Sequence, residues 1–312
     1  MSYEWPLLIF TFLAEVAVGT FIGGGCAKAL GLAAKYDVEA NGPADAPDEP
    51  KSDGKSKLFA AFFGVCAIIL TVGLAASMLH LGSLLGAPLA LGNLGASWLS
   101  REILTGVLTL IGMAVTAALA WKVSDGAATI AWVVTVVIAF VFLVCAGNAY
   151  QMATIPYWNT LATPLGLIIG AVAAGGAVTA AFALRIGGDI WRAYPFAVAA
   201  AVAFCLFGFA TAFGFGESCM AGSAGTASVA IAAGSQLPLL AGQALFGAAG
   251  AALQLAGLRP EHRKSEPDGA AAGPEPKKDG RGTLIIIGAV LVLIALFMAR
   301  MTFYGSAVNL QY

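Results

Sequence analysis

Apolar residues in this sequence of 312 residues fall in long blocks, and charged residues are largely confined to the gaps between them. The blocks lie at residues 6–30, 58–80, 103–121, 127–149, 164–185, 193–215, 237–257 and 283–302. Each is close to the roughly 20 residues that a helix needs to cross a hydrocarbon core of about 30 Å. None alternates polar and apolar residues as a membrane barrel strand does, so each reads as a helix that satisfies its own backbone groups. The pattern predicts an all-α, polytopic membrane protein with eight transmembrane helices in one integral membrane domain, 1–312.

Two gaps are long, charged and rich in Pro and Gly. They are 31–57, with NGPADAPDEPKSDGKSK, and 258–282, with RPEHRKSEPDGAAAGPEPKKDGRG. Such segments cannot bury a core and read as solvated linkers. Residues 217–236, ESCMAGSAGTASVAIAAGSQ, are uncharged after Glu217 and rich in Gly and Ser. They read either as a loop or as a short re-entrant element buried in protein.

Composition agrees with the pattern. Hydrophobic residues make up 59% and charged residues 11%, against about 25% charged in soluble domains. A net charge of -1 supplies no field for nucleic acid. Cys26, Cys66, Cys145, Cys205 and Cys219 form no CxxC pair and read as small apolar residues, not as ligands of an iron-sulfur cluster. The start, MSYEWPLLIF, is acidic where a secretory signal is basic, so it reads as the first permanent span.

The placement of the basic residues carries more than their sum, because cytoplasmic loops retain Lys and Arg. After spans one, three, five and seven stand Lys28, Lys35, Lys51, Lys55, Lys57, Lys122, Arg185, Arg192, Arg259, Arg263, Lys264, Lys277, Lys278 and Arg281. The opposite face receives Arg101 and Arg300. This asymmetry implies an even number of spans with both termini on the non-cytoplasmic side.

Chemistry has few places to sit. His80 and His262 are the only histidines, and the second falls in a linker, so an intramembrane haem held between two histidines lacks its ligands. His80 closes the second span in SMLHLGS, and Glu102 opens the third in SWLSREIL, both on the outer face by the charge count. A helix dipole favours a carboxylate at an N-terminus and an imidazolium at a C-terminus. Two such proton acceptors suit oxidation of a quinol, which sheds two protons with its two electrons. The plainer alternatives are an interfacial His80 and a Glu102 that caps its helix and pairs with Arg101. Glu15, deep in the first span, marks either a proton path or quinone pocket, or a protonated acid bonded to a neighbouring helix. Glu217, at the end of the sixth span, is a further candidate wall of the pocket.

Two blocks carry a family resemblance. SMLHLGSLLGAPLALGNLGASWLSREILTG, residues 77–106, and NAYQMATIPYWNTLATPLG, residues 148–166, resemble the membrane anchor subunit of dimethyl sulfoxide reductase, and more distantly polysulfide reductase anchors. The resemblance implies a multi-pass subunit of the bacterial cytoplasmic (inner) membrane that binds menaquinol. It implies that electrons pass to a ferredoxin-like iron-sulfur subunit and on to a molybdopterin catalytic subunit. Carried over by position, it implies that His80 and Glu102 contribute to the quinol site; Arg101, and Tyr150 and Asn159 of the second block, are further candidates for the pocket or a relay. Other function classes that fit eight spans are a small-solute transporter and a purely structural tether.

Overall fold

The computed structural model describes residues 4–30, 53–79, 91–122, 125–186, 190–220, 222–259 and 280–307. Among them are nine α-helices: α1 Trp5–Ala29, α2 Asp53–Met78, α3 Trp98–Lys122, α4 Asp125–Ala149, α5 Ala162–Ile186, α6 Tyr194–Cys219, α7 Ser223–Ala233, α8 Leu237–Gly257 and α9 Arg281–Gly305. All but the short α7 are long and apolar enough to cross a membrane. At about 1.5 Å per residue, a helix of 25 residues reaches some 38 Å, beyond the thickness of the hydrocarbon core. The protein is all-helical and passes the membrane many times.

The spans fall into two groups, α1–α4 and α5, α6, α8 and α9, which meet along α1 and α5. Small residues make that seam. A Cβ on Gly19 would lie 1.8 Å from the Ala171 carbonyl oxygen, and one on Gly175 would lie 2.2 Å from the Gly19 carbonyl oxygen. The two backbones therefore touch, an approach that membrane helices achieve only where side chains are absent. Outward positions such as Val65, Ile68 and Val72 of α2 and Val133, Val137 and Phe140 of α4 are exposed and apolar, as lipid contact requires.

Helix ends follow local rules. Proline stands in the first turn of α1, α6 and α8, where no backbone N–H is needed. Gly222 has φ of 91°, a left-handed conformation that glycine adopts without strain, and it separates α6 from α7. Residues 217–236 thus form the end of α6, a helix of 11 residues and a short turn. That helix is about 16 Å long, too short to span, and packs mainly on α6.

Two helices begin earlier than the apolar pattern suggests. α2 starts at Asp53, so residues 53–57 of the first charged linker are helical. α3 starts at Trp98, which puts Glu102 in the second turn and leaves no acidic residue in the first. Burial inside the bundle, not a place at the exposed helix start, governs this carboxyl.

The basic end of the bundle brings Lys28, in the last turn of α1, to within 2.5 Å of Asp125, the first residue of α4. Each charge complements the dipole of its own helix. Ser56 donates to the Ala120 carbonyl and ties α2 to the same corner.

Candidate functional site

At the opposite end, α1, α2 and α3 diverge enough to leave a cavity of about 200 Å³. Leu7 and Phe10 of α1, Leu74 of α2 and Leu99 and Ile103 of α3 make its walls apolar. Tyr150 and Met152, just past α4, close it. An apolar cavity of about 150 Å³ holds a benzene ring, so this space accommodates one substituted ring.

Glu102 enters this apolar space and is 5% exposed. No hydrogen-bond donor or cation meets its carboxyl among the described residues. Arg101 is turned away: its Nε donates to the Leu94 carbonyl at 2.9 Å, its Nη2 to the Gly95 carbonyl at 2.6 Å, and its guanidinium lies over the Trp98 ring. The pairing of Glu102 with Arg101, one of the sequence-based alternatives, is not formed. A buried carboxyl without a partner is costly unless something else occupies the space beside it.

Tyr150 belongs to an aromatic cluster that joins the α4–α5 connection to the end of α9. Its ring meets Trp158, Phe303 and Tyr304 edge-on, with centroids 5.8, 6.0 and 5.9 Å away. Trp158 stacks on Phe303 at 5.3 Å and donates its indole N–H to the Phe303 carbonyl oxygen. Burial pushes the phenols of Tyr150 and Tyr157 above the usual phenol range, so both are neutral hydrogen-bonding groups at ordinary pH.

Glu15 has a different environment. It is fully buried, and the guanidinium of Arg300 on α9 grips both carboxylate oxygens, with Nε donating to Oε2 at 3.0 Å and Nη2 donating to Oε1. Gly170 of α5 leaves room for this carboxylate: a Cβ there would lie 2.3 Å from Oε1. Arg300, counted from the sequence with the outer loops, is inside α9 and 3% exposed. Glu15 is thus bonded to a neighbouring helix, with Arg300 of α9 as its partner. Arg300 stands within the last apolar block, which is the signal that could have identified it as a partner for Glu15.

The remaining candidates are dispersed. His80 lies outside the described residues; α2 ends at Met78, and Ser77 lines the cavity. Asn159 is exposed in the α4–α5 connection and does not line this cavity. Glu217, in the last turn of α6, has one buried carboxyl oxygen without a hydrogen-bond partner and is also apart from this cavity. The structure thus brings together Glu102, Tyr150 and the segment leading to His80. A second cavity, about 180 Å³, opens at the basic end beside Lys28 and Trp132.

Comparison with known proteins gives a consistent answer. The family described as DMSO reductase anchor subunit (DmsC) matches residues 1–237. The C subunit of the anaerobic dimethyl sulfoxide reductase of Escherichia coli (strain K12) is 32% identical over 170 residues, 54% of this protein and 53% of that one. The anaerobic dimethyl sulfoxide reductase subunit YnfH of the same organism is 28% identical over 203 residues, 64% of each protein. The corresponding C subunit of Haemophilus influenzae is 27% identical over 186 residues, 59% of each. The match spans about half the length of the first relative and under two thirds of the other two.

Proposed function

The protein belongs to the family of dimethyl sulfoxide reductase anchor subunits, and from that premise we propose that it oxidises a quinol of the menaquinol type in the cavity beside Glu102. One observation carries the reading: a buried carboxyl with no protein partner among the described residues faces an apolar space large enough for one ring. A quinol must lose two protons together with two electrons. Glu102 accepts one proton, and Tyr150 forms part of the wall that holds the ring. His80, three residues beyond Ser77, is the second proton acceptor.

The electrons leave to an iron-sulfur subunit docked on the same end of the bundle and pass from it to a molybdopterin subunit. Five cysteines with no paired motif give this protein no cluster framework of its own, so an external acceptor is needed. The docking end faces away from the cytoplasm, because Lys28, Lys57, Lys122, Arg185, Arg192, Arg259 and Arg281 stand at the other end of the spans. The two charged linkers of the sequence, 31–57 and 258–282, would then lie on the cytoplasmic side.

The test uses the assembled complex in membranes. Glu102→Gln should abolish turnover driven by menadiol and leave turnover driven by a reduced viologen dye, which delivers electrons directly to the partner subunits. Unchanged menadiol turnover would leave the protein as a tether and remove the quinol site from this cavity.

A further inference from the structure

The second cavity, at the basic end between α1, α2 and α4, takes no part in the proposed quinol chemistry. Its space of about 180 Å³ is walled by Gly25 and Ala29 of α1, Phe63 of α2, and Ala128 and Trp132 of α4. Phe63 and Ala128 are buried at its floor, and Ala29 is exposed at its rim. The indole N–H of Trp132 is spent on the Phe21 carbonyl oxygen at 3.1 Å, so Trp132 offers the space only its ring. An apolar cavity of about 150 Å³ holds one benzene ring, so this one takes a length of hydrocarbon.

Charge stands at the mouth, in a definite order. Lys28 lines the cavity, whereas Asp125, bonded to it at 2.5 Å, lies outside the lining. Their side chains are 22% and 62% exposed. An ammonium has three N–H donors and a carboxylate two acceptor oxygens. Among the described residues Lys28 gives one N–H to Asp125, and Asp125 receives both Lys28 and Ser56, the latter at 3.4 Å, on Oδ1. Lys28 therefore keeps donors for a ligand, and Asp125 keeps Oδ2. From the inside outward the site presents an apolar wall, a cation and an anion.

A 25-residue helix such as α1 is some 38 Å long, so its last turn, with Lys28, reaches past the hydrocarbon core into the layer of lipid headgroups. A phosphoethanolamine lipid carries the complementary order: acyl chain, phosphate, primary ammonium. We infer that this cavity binds a phospholipid with a phosphoethanolamine headgroup, its chain against Phe63 and Trp132, its phosphate on Lys28 and its ammonium on Asp125. A phosphoglycerol headgroup satisfies Lys28 but brings Asp125 no cation. A trimethylammonium has no N–H to give Oδ2. The bound lipid ties together three helices of the first group and stabilises them by mass action.

The test strips the assembled complex of lipid in detergent and titrates it with phosphatidylethanolamine, phosphatidylcholine or phosphatidylglycerol of identical chains, with bound lipid read by native mass spectrometry. Phosphatidylethanolamine should bind about tenfold more tightly than either of the others, the equivalent of one charge-assisted hydrogen bond. Asp125→Asn should lower its affinity to that of phosphatidylcholine. Ala29→Trp blocks the rim at an exposed position and leaves the Lys28–Asp125 pair in place. It should abolish the selective binding, and it decides the matter if Asp125→Asn does not assemble. Equal affinity for the three lipids, tightest binding of phosphatidylglycerol, or no bound lipid overturns the inference. Selective binding that survives Ala29→Trp overturns it too, because the lipid then sits elsewhere.

Discussion

Glu15 and Glu102 are both carboxylates inside apolar spans near the same end of the bundle, and their surroundings are opposites. Glu15 has its charge matched by Arg300 and its volume enclosed by Gly170, α1 and α9. Among the described residues Glu102 has no cation beside it, and it borders a cavity. A membrane interior tolerates an ionisable group either when protein neutralises it or when function uses it. The first site is consumed by the fold, and the second is, on the proposed function, the one that takes a ligand.

Substitutions should separate the two sharply. The largest effect is expected at the pair: Arg300→Met leaves the Glu15 charge buried alone, at a cost of about 3–5 kcal/mol. It should reduce the amount of folded protein in membranes, and the double variant with Glu15→Gln should recover much of it; a single variant of normal stability would contradict the pairing. Glu102→Gln should do the reverse, lowering menadiol turnover by about 10²–10³-fold with little change in thermal unfolding. Intermediate effects test the space around each carboxyl. Gly170→Ala pushes on the Glu15 carboxylate and should cost about 1–3 kcal/mol, while Gly106→Ala, on the helix of Glu102, meets only the side chains of Phe142 and Leu74 at 3.0 and 3.2 Å and should cost less.

The smallest effect concerns the aromatic wall. Burial raises the Tyr150 and Tyr157 phenols above their unfolded values, so the folded protein keeps protons that the unfolded one releases near pH 10. Stability should therefore be fully present below about pH 10 and decline above it. Absorbance of tyrosinate should lag behind that of free tyrosine until the protein unfolds, and early ionisation of both phenols would show that the cluster is wet.

The eight spans are legible because hydrophobic blocks of membrane length leave almost no alternative. Glu102 and Glu15 stand out as acidic residues in apolar surroundings, but no local pattern distinguishes them. What separates them is Arg300, 285 residues from Glu15, and such pairing leaves no trace in periodicity. The start of α3 escapes the pattern because Ser100, Arg101 and Glu102 interrupt the apolar run, although Trp98 and Arg101 stack on each other and continue the helix. Residues 217–236 allow two readings since Gly, Ala and Ser suit both a loop and a short helix.

The sequence distance between Glu15 and Arg300 also orders events during synthesis. At about 5–20 residues per second, a gap of 285 residues is made in roughly 15–60 s. Throughout that interval the first span waits in the growing polypeptide without the guanidinium it will finally hold. The ribosome thus delivers the keystone last, and until it arrives the earlier spans form an arch that stands open at its centre.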